Sequence, residues 1–213
     1  MLFFYCVSTF SIAVCTDLMI EFLEVAFNNI LYSRKLYPSE AFTEKKIYST
    51  ASHFCQHPEV NEYLKNVLKA IKIMVASDPD TGVTVNFTIF DDQKVPIEKY
   101  VFNIYTAENG RPLEEDPYFF KTEDHIRAIC LKLCMATSYL TLLPDNSSFT
   151  VEVESSQGAY VALTNKDTFQ NFPWMLRERG SVVNLDSALL PLTCVKSESL
   201  GIECYILKNK VPS

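Results

Sequence analysis

Glycine is scarce in this chain. Five occur among 213 residues, at positions 82, 110, 158, 180 and 201, and none are grouped. Without a glycine cluster the backbone cannot build the usual phosphate-cradling loop. The chain also lacks a GxSxG nucleophile elbow and an HExxH zinc helix. Its seven cysteines, Cys6, Cys15, Cys55, Cys130, Cys134, Cys194 and Cys204, form no CxxC pair. Their odd number suits reduced, buried thiols better than a disulfide framework. Cationic residues are in the minority, 19 Lys and Arg against 26 Asp and Glu, and the net charge is −7. No domain-wide positive field exists, which argues against direct, backbone-driven binding to nucleic acid. Work beside DNA through a partner stays open.

What is present suits a globular protein. Apolar residues make up 48% and charged residues 21%, an ordinary balance. The aromatic share of 13% fits dense packing or an adhesive surface. A chain of this length forms one large domain or two small ones and buries roughly 70% of its unfolded surface. The first fifteen residues, Met1 to Cys15, carry no charge. They are too few to span a bilayer. They read either as a signal-peptide apolar region or as the start of a buried helix, and the missing basic n-region favours the helix. Two sequons, at Asn86 and Asn146, matter only in a secreted chain.

Periodicity organises the rest. Apolar residues between Asp17 and Leu36 recur at helical spacing, and the other faces are also apolar, so a central helix is expected. A loop containing Lys45 and Lys46 follows. Pro58, Glu59 and Glu62 open a second helix whose stripe is Val60, Tyr63, Leu64, Val67, Leu68, Ile71 and Met74. Residues 78–82 read as a turn. Val83 to Ile89 alternate as a strand, Asp91 to Lys94 turn, and Ile97 to Tyr105 return with Tyr100, Phe102 and Ile104 inward. A third helix is predicted from Thr122, as N-cap, to Leu143 before Pro144. Ser148 to Glu154 form another strand. Beyond Ser155, short extended pieces at Ala159–Leu163, Leu189–Val195 and Leu200–Leu207 read as a C-terminal arm lying on the domain. Three helices and an antiparallel sheet in segregated runs make an α+β fold.

Candidates for chemistry are weak. His53, Cys55 and His57 would share a face of an extended segment and can ligate zinc, but a fourth ligand is missing and Pro58 starts a helix there. Cys130 and Cys134 lie one helical turn apart beside Ile126 and Leu133, as packing thiols do. His125 has no nucleophile to pair with. The single tryptophan stands in Phe172-Pro173-Trp174, on a segment without helical or strand period. There Trp174 either plugs the core or contacts a partner. The expectation is a binding module rather than an enzyme, with no cofactor and no metal.

Several segments together resemble one family. They are Glu21-Phe22-Leu23-Glu24-Val25-Ala26, Ile30-Leu31-Tyr32-Ser33-Arg34 with Tyr37-Pro38, His57-Pro58-Glu59 with Asn61 and Tyr63, and Glu98-Lys99-Tyr100-Val101-Phe102. With Phe172-Pro173-Trp174 and Leu189-Leu190-Pro191-Leu192, they resemble the HORMA-domain accessory subunits of translesion DNA polymerase zeta. The similarity runs from about Asp17 to Ile206. It implies a single HORMA domain: three helices on an antiparallel sheet, a core over about 16–155, and a C-terminal safety belt over about 156–213.

The resemblance implies a non-catalytic adaptor. Its belt would close around a proline-containing segment of the polymerase zeta catalytic subunit, added as a strand. Tyr63 and Trp174, with Tyr37, Phe172 and Pro173, fall at the positions that hold the segment. Leu189, Glu203 and Tyr205 fall at a second surface, which receives a Y-family scaffold polymerase. Glu203 stands where the family carries glutamine, which adds a charge and removes an NH₂ donor. Arg127 matches a position used in self-association or docking of an AAA+ remodelling ATPase, and Glu44 near it stands where lysine is expected. A homodimer, a location in the nucleus and also the cytoplasm, and no direct contact with nucleic acid or membrane are implied as well. A HORMA adaptor in cell-cycle control or DNA-end protection is the alternative, since pathway follows from whose segment the belt holds. A secreted glycoprotein or metal-binding protein is the remote one.

Overall fold

A computed structural model of the chain describes residues 3–77, 82–106, 120–165, 174–176, 187–196 and 200–209. Helix α1, Phe3–Ser33, is the longest element. Met19, Phe22, Leu23, Val25, Ala26, Phe27, Ile30 and Leu31 are all buried on it, and from Val25 to Leu31 every residue is buried, although Glu21 one turn earlier is exposed. It starts earlier than its periodicity from Asp17 indicated, because the uncharged residues ahead of Asp17 continue the same helix. It also ends earlier. Lys35 takes a left-handed φ of 57°, and the Leu36 amide bonds the Leu31 carbonyl at 3.1 Å while the Lys35 amide bonds Tyr32 at 3.0 Å. These two reverse bonds are a Schellman cap.

The segment expected as a loop around Lys45 and Lys46 is a strand. β1, Phe42–Ile47, and β2, Thr50–Cys55, form a hairpin in which Ile47 pairs with Thr50. The two-residue turn has positive φ at Tyr48 (49°) and Ser49 (57°), as a hairpin twist requires. Neither residue is the usual asparagine or glycine, so the turn was not legible. α1 holds this hairpin through side chains. Asn28 Oδ1 accepts the Cys55 amide at 2.9 Å and Asn29 Oδ1 accepts the His53 amide at 3.2 Å.

Helix α2, Pro58–Ser77, buries the anticipated stripe except Tyr63, which is half-buried. Strands β3, Val83–Phe90, and β4, Pro96–Thr106, pair antiparallel. Tyr100, Phe102 and Ile104 face the core as read from the alternation. Helix α3, Phe120–Ala136, gives way to a 3₁₀ turn at Thr137–Tyr139. It is therefore shorter than predicted, and Thr122 lies buried inside it rather than capping it. After β5, Ser148–Glu154, a fourth helix appears where an extended piece was expected. α4, Gln157–Thr164, is capped by Ser156, whose hydroxyl accepts the Ala159 amide at 3.2 Å. Its Ala159 and Leu163 are buried, against α2.

The C-terminal arm is built into the sheet rather than laid upon it. β6, Ser187–Lys196, and β7, Leu200–Asn209, form a hairpin. β7 pairs with β4 from Glu98↔Lys208 to Thr106↔Leu200. The five-stranded order is β5-β3-β4-β7-β6. Ile202, Cys204 and Ile206 of β7 are buried in the core. The Tyr105 ring covers Gly201 from the facing strand: a Cβ there would come within 2.1 Å of it, so a larger residue would have to displace that ring.

One buried ion pair ties α1 to the sheet. Arg34 Nη2 and Nε donate to Glu98 Oε1 and Oε2 at 2.7 and 3.0 Å. The Tyr100 hydroxyl adds a bond to Oε2 at 3.1 Å, and Arg34 Nη2 also reaches the Thr141 carbonyl at 2.6 Å. Burial pushes the Glu98 carboxyl above its ordinary range, and the guanidinium and phenol pull it part of the way back. Among the described residues no helix is long and apolar enough to cross a membrane. Removing one partner of a buried pair strands the other charge. Arg34→Ala is therefore expected to cost about 3–5 kcal/mol in urea unfolding. Arg34→Met combined with Glu98→Leu should recover most of that loss.

Candidate partner-binding surfaces

An aromatic row crosses the core to β5, one of the two border strands of the sheet. Phe27 meets Phe87 at 5.4 Å between ring centroids, Phe87 stacks on Phe149 at 4.9 Å, and Phe149 meets Tyr63 edge-on at 5.7 Å. Phe149 thus carries the core's aromatic packing onto β5, where Tyr63 of α2 meets it.

The edge itself is the key feature. Val151 pairs with Phe87 of β3, but its amide turns away from that ladder and donates to the Tyr63 hydroxyl at 3.0 Å. Backbone groups alternate between the two edges of an antiparallel strand, so those of Phe149 and Val153 face the same way as Val151. Among the described residues no strand pairs with this edge. Burial pushes the Tyr63 hydroxyl above its usual range, and the Val151 amide opposes this. The phenol stays protonated and its oxygen stays an acceptor.

Tyr37 lies half-buried before the first turn of α2, 6.3 Å from the His57 ring. Tyr63 follows His57 by about 9 Å along the helix axis. Burial is also the main cause that raises the Tyr37 hydroxyl. Trp174 is half-buried and packs against the hydrophobic core, while Met175 and Leu176 after it are exposed. Phe172 and Pro173 lie outside the described residues. Phe149 and Val151 were missed as site residues, because an alternating pattern identifies a strand without saying whether its edge is paired.

A second surface lies on the face of the sheet away from the core. Core-facing Ile202, Cys204 and Ile206 alternate with Glu203, Tyr205 and Leu207, which therefore point to the other face. Leu189 stands opposite Leu207, Pro191 opposite Tyr205, and Glu203 opposite Asn103. The three expected residues Leu189, Glu203 and Tyr205 thus share one face, with Leu189 exposed. Leu207 and Pro191 join them there.

Glu44 and Arg127 do not form a pair. Glu44 on β1 lies 3.9 Å from His53 Nε2, and Arg127 bonds Asp124 one turn back on α3. The zinc-like residues have other occupations. His53 stacks on Tyr32 with centroids 3.5 Å apart, and Cys55 is buried. Among the described residues no group of three or more His, Cys, Asp or Glu is placed to hold a metal.

Comparison with known proteins places the chain. The HORMA domain model matches residues 15–155. A bovine (Bos taurus) mitotic spindle assembly checkpoint protein MAD2B is 32% identical over 193 residues, covering 91% of this chain and 90% of the relative. The DNA polymerase zeta subunit 2 of Drosophila melanogaster is 24% identical, covering 90% of this chain and 95% of that protein. A chain in a crystal structure of the mitotic checkpoint complex superposes with a TM-score of 0.73 at 18% identity, covering 92% of this chain and 98% of that one. C. elegans HTP-2 bound to a HIM-3 closure motif superposes with a TM-score of 0.64 at 16% identity, covering 91% and 89%. The helices on an antiparallel sheet, the family match over most of the core and these homologues agree: the chain belongs to the HORMA-domain family.

Proposed function

We propose that this protein is a non-catalytic HORMA adaptor that captures a proline-containing segment of the polymerase zeta catalytic subunit by closure of its C-terminal belt. The observation that carries this reading is the border strand β5, which no strand pairs with on its outer side among the described residues and whose Val151 amide is held by Tyr63. An incoming extended segment would add a strand there, with main-chain bonds for affinity and the aromatic rings for side-chain selection. Proline suits flat rings because neither partner loses much conformational freedom. The relative named DNA polymerase zeta subunit 2 supports the pathway, and the fold neighbour bound to a closure motif supports the mode.

The outer face of β6 and β7, with Leu189, Glu203 and Tyr205, would receive a Y-family scaffold polymerase, so that one protein bridges two polymerases in the nucleus during bypass of damaged DNA. A cell-cycle adaptor is the second reading, favoured by relatives named as spindle assembly checkpoint proteins. A pull-down from damaged cells with mass spectrometry separates them by the partners recovered with wild type and lost with Trp174→Ala.

Two variants test the capture site. Trp174→Ala is expected to weaken binding of a proline-containing peptide at least about tenfold while the thermal unfolding midpoint stays within a few degrees. Unchanged affinity in calorimetry rejects the assignment of Trp174 as a contact. Tyr63→Phe keeps the ring against Phe149 and removes the acceptor. In the free chain it should speed hydrogen exchange at the Val151 amide roughly tenfold, and the complex should restore protection.

A further inference from the structure

Two lysines join the C-terminal hairpin to the helical layer, one reaching in each direction. From α3, Lys132 Nζ donates to the Leu192 carbonyl of β6 at 2.9 Å. From β7, Lys208 Nζ donates to the Tyr139 carbonyl at 3.1 Å. Each acceptor is a backbone oxygen that regular structure leaves over. The β6–β7 register runs from Pro191↔Tyr205 to Thr193↔Cys204 and skips Leu192. Leu192 is thus the extra residue of a bulge, which has no partner across the ladder. Tyr139 closes the 3₁₀ turn that follows α3, where carbonyls lack helical donors and the dipole's negative end favours a cation.

The two sockets are linked to the buried ion pair. Lys208 stands opposite Glu98 across the β4–β7 ladder, and its charge helps hold the Glu98 carboxyl down against burial. Arg34, bound to Glu98, grips the Thr141 carbonyl two residues beyond Tyr139. The segment after α3 is therefore held by one cation just past the end of α1 and one from the hairpin. Asn209 adds a tie at the same end, donating Nδ2 to the Pro96 carbonyl at 2.7 Å.

We infer that Lys132 and Lys208 form a two-point latch that sets how slowly the C-terminal hairpin opens from the domain. Neither bond can exist until the hairpin lies in the sheet, because each joins a hairpin group to a core group. Both bonds are exposed, so water replaces them once broken and each slows opening only moderately. If the belt captures a segment as proposed above, the latch regulates that site by setting how long the segment is retained, since affinity in such complexes is tuned mainly through the off-rate.

The test is hydrogen–deuterium exchange on the full chain without any partner, for Lys132→Gln, Lys208→Gln, the double variant and Lys208→Arg. Each single glutamine variant should exchange β6 and β7 amides roughly threefold to tenfold faster, and the double variant by about the product. β3 amides should keep the wild-type rate, and Lys208→Arg should stay near wild type because it retains a cationic donor. Unaltered hairpin exchange in the double variant overturns the latch. So does an equal rise in β3 and the hairpin, which would mean general loss of stability. The readout needs no captured segment, so a failed latch and a failed capture reading give different results: altered hairpin exchange with no peptide binding sinks only the latter.

Discussion

The pairing of β4 with β7 is the contact on which the rest of this structure depends. It sets the last strand of the chain beside a strand from its middle, from Glu98↔Lys208 to Thr106↔Leu200. The pairing inserts Ile202, Cys204 and Ile206 into the core and turns Glu203, Tyr205 and Leu207 outward. By occupying one side of the sheet it leaves β5 as the opposite border, where Val151 meets Tyr63. Both candidate partner surfaces therefore follow from a single ladder.

The placement separates two kinds of recognition. The border at β5 offers backbone groups, which bind any extended chain and select by what flanks them. The outer face of β6 and β7 offers side chains only: two leucines, a tyrosine and a proline beside a carboxylate. Glu203 adds negative charge to that face, and a partner docking there must meet a carboxylate rather than a neutral amide. Polar groups at the buried end of the ladder meet their needs locally. Arg34, Glu98 and Tyr100 satisfy one another, and the turn after α3 supplies the remaining acceptors.

Much of this was legible in the residues. The stripe of α2 and the alternation of β3, β4 and β5 stated which faces are buried, because period and burial share one cause. The β1–β2 hairpin, α4 and the end of α3 were not legible. β1 carries Thr43, Glu44, Lys45 and Lys46 with mostly exposed positions, so no burial pattern marks it, and its pairing rests on β2 and on Asn28 and Asn29 of α1. α4 contains Gly158 and Val161, which weaken helix propensity, and its burial against α2 outweighs them. α3 stops at Ala136, although apolar residues at helical spacing run on to Leu143.

Sequence by itself determined the family and its consequences: an α+β fold, a central apolar helix, and the absence of a recognisable catalytic motif. The residues alone put Tyr63 in the stripe of α2, and only the family resemblance set Tyr63 and Leu189 at expected partner positions. Tertiary structure alone decided which strands border the sheet among the described residues, that the C-terminal arm enters the sheet, and that Leu189, Glu203 and Tyr205 share a face. The physical reason is range. Periodicity and capping are set by neighbours within a few residues, whereas edge pairing depends on hydrogen bonds between segments about a hundred residues apart, such as Asn103 and Glu203.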